Sequence, residues 1–426
     1  MSVLNFFAGS FGPSQPVSAA DHWLVRLIGG ASKASVPVNE YLALNLPVVY
    51  ACVTLLADTI GVLPCYVEEV TRDPKGKRKV KRLDDHPISY LLANPNKYMS
   101  QFIFTKTTQG HEDLWGNSII EIEQNGKGEA IALWPTEPGA VWPDAYDIRE
   151  RGPKNGILRY RGSVNGEDFN KPYDEVLHFR AFGLNGYLGL SPIHVARNAI
   201  GLGLATEEFG SKFFANDAKS GGFLQHPGAL SEKAQTNLKD SMGPAGQGGL
   251  KNAHAVKILE EGMKFVSTTI PPEDAQFLGT REFQIAEMAR IYRIPLVLLQ
   301  SHEKTTSWGS GIEHLTIGFV RWSIQPRVTQ REQELTNKLL SEADRKKGLR
   351  VRVDVNVLLR ADMSGRAAWY ESLSKIGALT PDEIREEEGR APLSEDEKKG
   401  FALLAGNAAP AQPNKEPNEP ETESEQ

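Results

Sequence analysis

The sequence predicts an α+β protein of several domains, and three observations predict it. In the first half, helical stripes give way to many short strand patterns separated by Gly, Pro and Asn turns. In the second half, two helical patterns of about 20 residues each bracket a small αβ insert, and a longer helical pattern follows, interrupted by Pro326. A length of 426 residues accommodates two or three domains with cores of their own.

Residues 1–36 are rich in Gly, Ser and Ala with little periodicity, and are expected to form a flexible arm. From Leu46 the pattern sharpens. Pro47 suits a first helical turn, and Val48, Val49, Cys52, Val53, Leu55, Leu56 and Ile60 follow as an apolar stripe that Gly61 ends. Leu63–Val70 reads as a strand, and the basic run Lys75–Arg82 as a turn leading into its return strand. Ser100 is placed to cap a helix through Leu114. Asn117–Glu123 then alternates as a strand, with Ile120 and Ile122 on one side. Residues 125–180 supply the remaining short strands.

Pro192 opens a helix running to about Asn216, roughly 36 Å long. Gly201, Gly203 and Gly210 lie within it, each weakening an isolated helix by about 1 kcal/mol relative to Ala. Close packing against a neighbour explains them better than propensity. The insert reads as a strand at Gly222–Gln225, a helix at Ser231–Ser241, and a hairpin of Ala255–Glu260 with Met263–Ile270. Pro271 and Pro272 introduce a second helix that ends near Arg293, with Glu273 and Asp274 complementing its N-terminal dipole. Ser301–Gly311 (SHEKTTSWGSG) is polar, bears glycine and reads as a mobile loop. Ile312 to about Lys346 forms a helical pattern on the order of 50 Å, which Pro326 should kink or split. Leu349–Leu358 alternates as a half-buried strand. Residues 363–403 are helical with a boundary at Thr380-Pro381, and the Pro- and Glu-rich tail from Asn407 is expected to be disordered.

Composition narrows the function. Apolar residues at 40% and charged residues at 24% are ordinary for a soluble protein. The run Ile294–Leu299 is among the longest apolar stretches, far short of a membrane helix, so no membrane role is expected. The N-terminus lacks a basic start followed by a long apolar stretch, which argues against a secretory signal. Cys52 and Cys65 sit in apolar surroundings and read as reduced core residues. A net charge of −6 is the wrong sign for a protein that grips DNA by neutralising phosphates.

Catalytic patterns are missing. Gly76-Lys77 and Gly126-Lys127 lack the upstream glycine and the hydroxyl residue of a phosphate-binding loop. Gly201-Leu-Gly203 lies mid-helix without the third glycine of a dinucleotide site. The nine histidines form no metal-ligand spacing, and His86 and His178 read as turn and strand residues. Asp84-Asp85 and Glu386-Glu387-Glu388 read as solvated faces. No catalytic residue, cofactor or metal site is expected.

Several segments, in order, resemble the portal proteins of long-tailed bacteriophages. They are Val49-Tyr-Ala-Cys-Val53 with Ala57–Pro64; His86-Pro-Ile88 with Leu91-Leu92 and Asn94-Pro-Asn96; and Gly116-Asn117. Leu190-Ser-Pro-Ile193, Phe213-Phe-Ala-Asn216, Leu259–Met263, Asp274-Ala-Gln-Phe277 and Ala289–Pro295 continue the series. The chain departs from the family pattern at Pro295-Leu296 and at Thr306–Gly309.

The resemblance implies the portal fold: residues 37–190 as an α+β wing, 191–216 and 273–295 as paired stem helices, and 217–272 as a small αβ clip. It makes 296–311 the tunnel-loop region, 312–362 the long kinked helix with a wing strand, 363–403 a helical crown, and 404–426 a disordered tail. It implies a ring, usually of twelve subunits, through which double-stranded DNA passes. The implied partners are the large subunit of the packaging ATPase (terminase), a head-tail adaptor and the major capsid protein, at a capsid vertex of a virion assembled in the host cytoplasm. His302, Lys304, Thr305, Thr306, Ser307 and Trp308 become the candidate channel residues, and Pro326 the helix kink. The alternatives are a metal-dependent nuclease, which DNA cleavage with Mg²⁺ or Mn²⁺ would reveal, and another virion structural protein such as an adaptor or shell subunit.

Overall fold

The computed structural model describes residues 32–72, 76, 78–144, 158–184, 186–215, 222–225, 228, 231–233, 236, 264–267, 274–299, 310–359, 363–388, 390–394 and 396–398. The fold divides into two units, 1–355 and 356–426.

In the first unit, Asn39 caps a single turn, α1 (Glu40–Ala43), by accepting from Leu42 N at 2.7 Å. Helix α2 (Pro47–Gly61) buries Val49, Cys52, Val53, Leu56, Ala57 and Ile60 at helical spacing. Each of the Val, Leu and Ile side chains among them contributes roughly 1.5–3 kcal/mol by leaving water. Burial pushes both the Cys52 and Cys65 thiols up to about 12; Cys52 lies in the core, and Cys65 is partly buried against it.

Strands β1 (Cys65–Arg72) and β2 (Arg78–Leu83) form the expected antiparallel pair. His86 Nδ1 accepts from Ile88 N at 3.2 Å and caps α3 (Pro87–Ala93). Ser100 does the same for α4 (Gln101–Trp115), which packs antiparallel to α2, with Gly61 closing on the Phe102 ring. Gly116 ends α4 in the left-handed region, at φ 74°.

Strands β3 (Asn117–Gln124), β4 (Ala130–Pro135), β5 (Val141–Asp144), β6 (Arg159–Val164), β7 (Glu167–Pro172) and β8 (Val176–Arg180) build two three-stranded antiparallel sheets, in the orders β4-β3-β8 and β5-β6-β7. The reading of many short strands is borne out.

The predicted helix 192–216 is two helices, α5 (Pro192–Val195) and α6 (Arg197–Ala215), separated by a turn at Ala196. Two of its glycines, Gly201 and Gly203, pack as expected. A Cβ on Gly201 would lie 2.3 Å from the Ser32 side chain, and one on Gly203 would lie 3.1 Å from Leu46. Strand β9 (Gly222–Gln225) pairs antiparallel with β10 (Lys264–Ser267). The expected first hairpin arm, 255–260, and most of the expected helix 231–241 lie outside the described residues.

Helix α7 (Asp274–Tyr292) ends where predicted. The long helix differs from its prediction. Helix α8 begins at Ser310, two residues before the predicted start, and ends at Phe319; a π-helical segment covers Val320–Ile324; α9 spans Gln325–Leu339. The chain then turns extended at Leu340, and Ser341 caps a separate helix, α10 (Glu342–Lys346), accepting from Asp344 N at 3.1 Å. That cap, with Glu342 in the first turn, is why the helix does not run through to Lys346.

The predicted strand 349–358 also stops early. Strand β11 (Leu349–Val353) pairs with β1, Cys65 opposite Val353, giving the order β11-β1-β2. Asp354 N then bonds Pro64 O, and Asn356–Leu359 turns helical as α11. Alternation alone could not separate that terminal turn from more strand. The principal core joins Val67, Leu92, Phe104, Ile120, Leu177 and Phe179 to Leu335, Leu339 and Val351.

The second unit contains α11, α12 (Met363–Lys375) and α13 (Pro381–Glu387). The boundary expected at Thr380-Pro381 is a reciprocal cap: Thr380 N donates to Glu383 Oε2 at 2.7 Å, and Glu383 N donates to Thr380 Oγ1 at 3.3 Å.

Candidate functional site

Helix α4 turns a polar face inward. Thr108, Gln109, Glu112 and Asp113 are all buried. They face α9, whose residues 327, 330, 331 and 334 recur at i, i+3, i+4 and i+7 and so share one side of the helix.

Arg331 Nε donates to Gln109 Oε1 at 3.2 Å, and Nη1 to Thr108 Oγ1 at 3.0 Å, while Nη2 lies 3.7 Å from Glu112. The guanidinium rests 4.1 Å from the Phe179 ring centroid. Arg327 lies 3.6 Å from the Asp113 carboxylate. Gln330 Nε2 donates to Arg180 O at 2.6 Å, and Glu334 Oε1 accepts from His178 N at 3.2 Å. Four successive inward positions of α9 are therefore pinned by directional contacts to α4 and β8.

The charge is expensive in this setting. Burial raises the Glu112 carboxyl to about 7 against the pull of Arg331, and it raises Asp113 against Arg327. Burial also lowers the Arg331 guanidinium, countered by Glu112 and Asp113.

One buried relay braces the opposite side. Tyr160 Oη lies 3.1 Å from His178 Nδ1, and His178 Nε2 lies 3.0 Å from Asn117 Oδ1. Asn117 also exchanges two bonds with Gly189, each 2.8 Å. Burial, with Arg180 adding to it, holds His178 well below the ordinary imidazole range, so the ring is neutral. An Nε2–H tautomer would donate to Asn117 and accept from Tyr160.

This framework frames the predicted loop. Tyr292, the last residue of α7, donates its hydroxyl to Asp113 O at 3.2 Å. The next residue, Arg293, sits at φ 59° without being glycine, and Ile294 N reaches back to Ala289 O at 2.9 Å. On the return path, Ser323 within the π segment donates to Arg293 O. Departing and returning chains are thus joined at one place, and both depart from α geometry there. Pro326 lies at the start of α9, immediately after the π segment. The sequence expects a kink or split at Pro326; the described residues there pass from the π segment into α9.

An open apolar groove of about 400 Å³ sits beside this junction, lined by Ala289, Ile294, Leu296, Leu315, Phe319 and Trp322. The predicted channel residues His302, Lys304, Thr305, Thr306, Ser307 and Trp308 lie outside the described residues, so the structure gives the mounting of the loop and not its side chains. Sequence reasoning missed Asp113, Tyr292, Ser323 and Arg293. Only Pro326 signalled the junction; Arg293 stands where a glycine would have advertised a left-handed residue. Among the described residues, no three His, Cys, Asp or Glu side chains are grouped to hold a metal, and no helix is long and apolar enough to cross a membrane.

The described residues form a mixed α+β framework with a braced junction between Arg293 and Ser323, on either side of residues 300–309. The chain belongs to the phage portal protein family, whose model matches residues 47–389. It is 30% identical to the portal protein of Enterobacteria phage HK97 over 357 residues, covering 84% of this chain and 81% of that protein. It is equally 30% identical to the probable portal protein of Streptomyces phage phiC31, covering 86% and 79% of the two chains.

The crystal structure of an HK97-family phage portal protein from Corynebacterium diphtheriae superposes with a TM-score of 0.55 at 14% identity, covering 78% of this chain and 99% of that one. A chain from the neck of a native gene transfer agent particle, solved with C12 symmetry, matches at a TM-score of 0.53 and 18% identity, covering 82% and 91%. At these identities the two structures support the mixed α+β fold alone.

Proposed function

We propose that this chain closes into a ring, of twelve subunits by likeness to the C12-symmetric neck, at one vertex of a phage capsid. Double-stranded DNA would pass through the ring during packaging and ejection. The observation that carries this reading is the match of the portal family's model to residues 47–389, and the junction joining Arg293 to Ser323 supports the loop assignment. Twelve copies would hold residues 300–309 as a collar around the bore, with His302, Lys304, Thr305, Thr306, Ser307 and Trp308 available to the duplex.

The other regions follow the same assignment. The sheets and α2–α4 form the wing, α6 and α7 the stem, and the β9–β10 ribbon between them belongs to a clip facing the terminase large subunit and later the head-tail adaptor. Residues 363–403 form a crown inside the shell, and the wing meets the major capsid protein.

The electrostatics favour passage over capture. DNA carries about one charge per 1.7 Å of its axis, and each neutralised phosphate must be released again for the duplex to advance. A chain of net charge −6 with a single lysine, Lys304, on the loop allows sliding. Hydrolysis belongs to the separate packaging ATPase.

Deleting His302–Ser310 tests this reading. Rings should still form, while DNA packaging or retention falls. Unchanged virion yield and DNA content would refute the loop assignment, and a strictly monomeric parent protein under assembly conditions would refute the ring.

A further inference from the structure

A second site lies away from the junction, where the end of α4 and the start of β3 meet residues 136–142 and 188–194. It is a pocket of about 110 Å³ whose lining includes Glu40, His111, Trp115, Glu137, Trp142 and His194. Glu40 is buried, 3.2 Å from Ser191 Oγ and 3.6 Å from His194 Nε2, whereas Glu137 is exposed at the rim. His111 Nδ1 is buried without a hydrogen-bond partner. Burial lowers that imidazole to about 4, so it is neutral at physiological pH. The Trp115 ring stands edge-on to it at 6.0 Å, and Trp142 is 56% exposed.

Two carboxylates, two indoles and an unused ring nitrogen make a receptor for a cation. Carboxylates supply charge, indole faces attract ammonium or guanidinium groups, and a neutral imidazole can accept an N–H. The volume suits the end of one side chain better than a free ligand.

The chain also carries a matching donor. Strand β2 is the edge of its sheet, and Arg78, Lys79, Lys81 and Arg82 on it are all exposed. Arg82 is engaged with Asp84 at 2.7 Å and with the Tyr66 ring. Arg78, Lys79 and Lys81 have no ion-pair partner among the described residues. So dense a row of cations discourages sheet-to-sheet pairing; what this edge offers a partner is charge. A ring built head to tail requires two different, complementary patches at different places on each copy. The basic edge of β11-β1-β2 and the acidic, aromatic pocket beside β3 and β5 meet that requirement.

Taking the ring reading as its basis, we infer that the pocket at Glu40, His111 and Glu137 receives the side chain of Lys79 or Lys81 from strand β2 of the neighbouring copy.

Zero-length carbodiimide cross-linking of assembled rings tests it, using a mixture of ¹⁴N- and ¹⁵N-labelled chains. Mixed-isotope peptides joining Lys79 or Lys81 to Glu137 are expected. Charge reversal supplies a second readout: Glu137→Lys, and separately Lys79→Glu with Lys81→Glu, should each raise the concentration for half-assembly by about tenfold, as expected for roughly 1.4 kcal/mol of interface energy. These side chains are exposed, so the monomer should melt as the parent does.

Rings that yield other cross-links but none at Glu137 would overturn the inference, as would variants assembling at the parental concentration. Loss of DNA affinity in the double lysine variant with assembly unchanged would also overturn it, reassigning β2 to nucleic acid. A parent protein that never forms rings would instead refute the ring reading itself, and this inference with it.

Discussion

Tyr292 closes the end of one helix by serving another: its hydroxyl donates to the carbonyl of Asp113, 3.2 Å away in the last turn of α4. Carbonyls in a last turn lack intrahelical donors, and a buried one must find a partner elsewhere. Tyr292→Phe keeps the ring and removes the donor, so it should cost about 1–3 kcal/mol. Denaturant melts of the variant measure this directly, and an unchanged midpoint would show that water replaces the hydroxyl.

Glu112 should make stability depend on pH. Burial raises its carboxyl from 4.5 to about 7, with Arg331, Asp113 and Arg327 as the charges facing it. Between those values the folded state binds more protons than the unfolded one, so this contribution is present below about 4.5 and lost as pH rises through about 7. Glu112→Gln removes the titration. The variant's melting temperature relative to the parent should therefore climb from pH 5 to pH 8. His111 and His178 are shifted the other way and are common to both proteins, so they largely cancel in the difference. Parallel pH profiles would sink the prediction.

Gly116→Ala should be severe. At φ 74°, an alanine Cβ would also stand 2.4 Å from the carbonyl oxygen of Leu190. Left-handed strain of about 1–2 kcal/mol adds to the displacement of backbone that has little room to move. We expect a total loss of about 2–4 kcal/mol, read from thermal or denaturant unfolding.

At the loop junction, Ser323 and Pro326 should separate. Ser323→Ala removes the bond to Arg293 O and should cost about 1 kcal/mol. Pro326 is exposed, so Pro326→Ala should change stability by less than about 1 kcal/mol. A loss at Pro326→Ala as large as that at Ser323→Ala would mean that the proline shares in holding the π segment.

Much of this was legible in advance because apolar periodicity and turn chemistry are local. Val49 through Ile60 announced a helix, Ser100 its neighbour's cap, and Thr380-Pro381 a boundary. Gly201 and Gly203 of α6 correctly implied a close neighbour. What escaped was set by tertiary contact. Arg327, Gln330, Arg331 and Glu334 have the spacing of a buried stripe but the chemistry of a solvated one, and only the facing residues of α4 and β8 reveal which it is. The alternation through Val355 and Val357 likewise concealed the turn after Val353. The channel residues were chosen from loop composition and family likeness, and the described residues supply only their anchorage.

The polar stripe on α9 has a mechanical meaning. A helix seated on oily side chains can slip by fractions of an ångström or rock about its axis at small cost, since dispersion has no preferred angle. One seated on four oriented polar contacts has a single register and loses several at once if it shifts. Such a rod behaves as a strut: strain entering at the loop end is delivered stiffly into the surrounding sheets and not dissipated along the way.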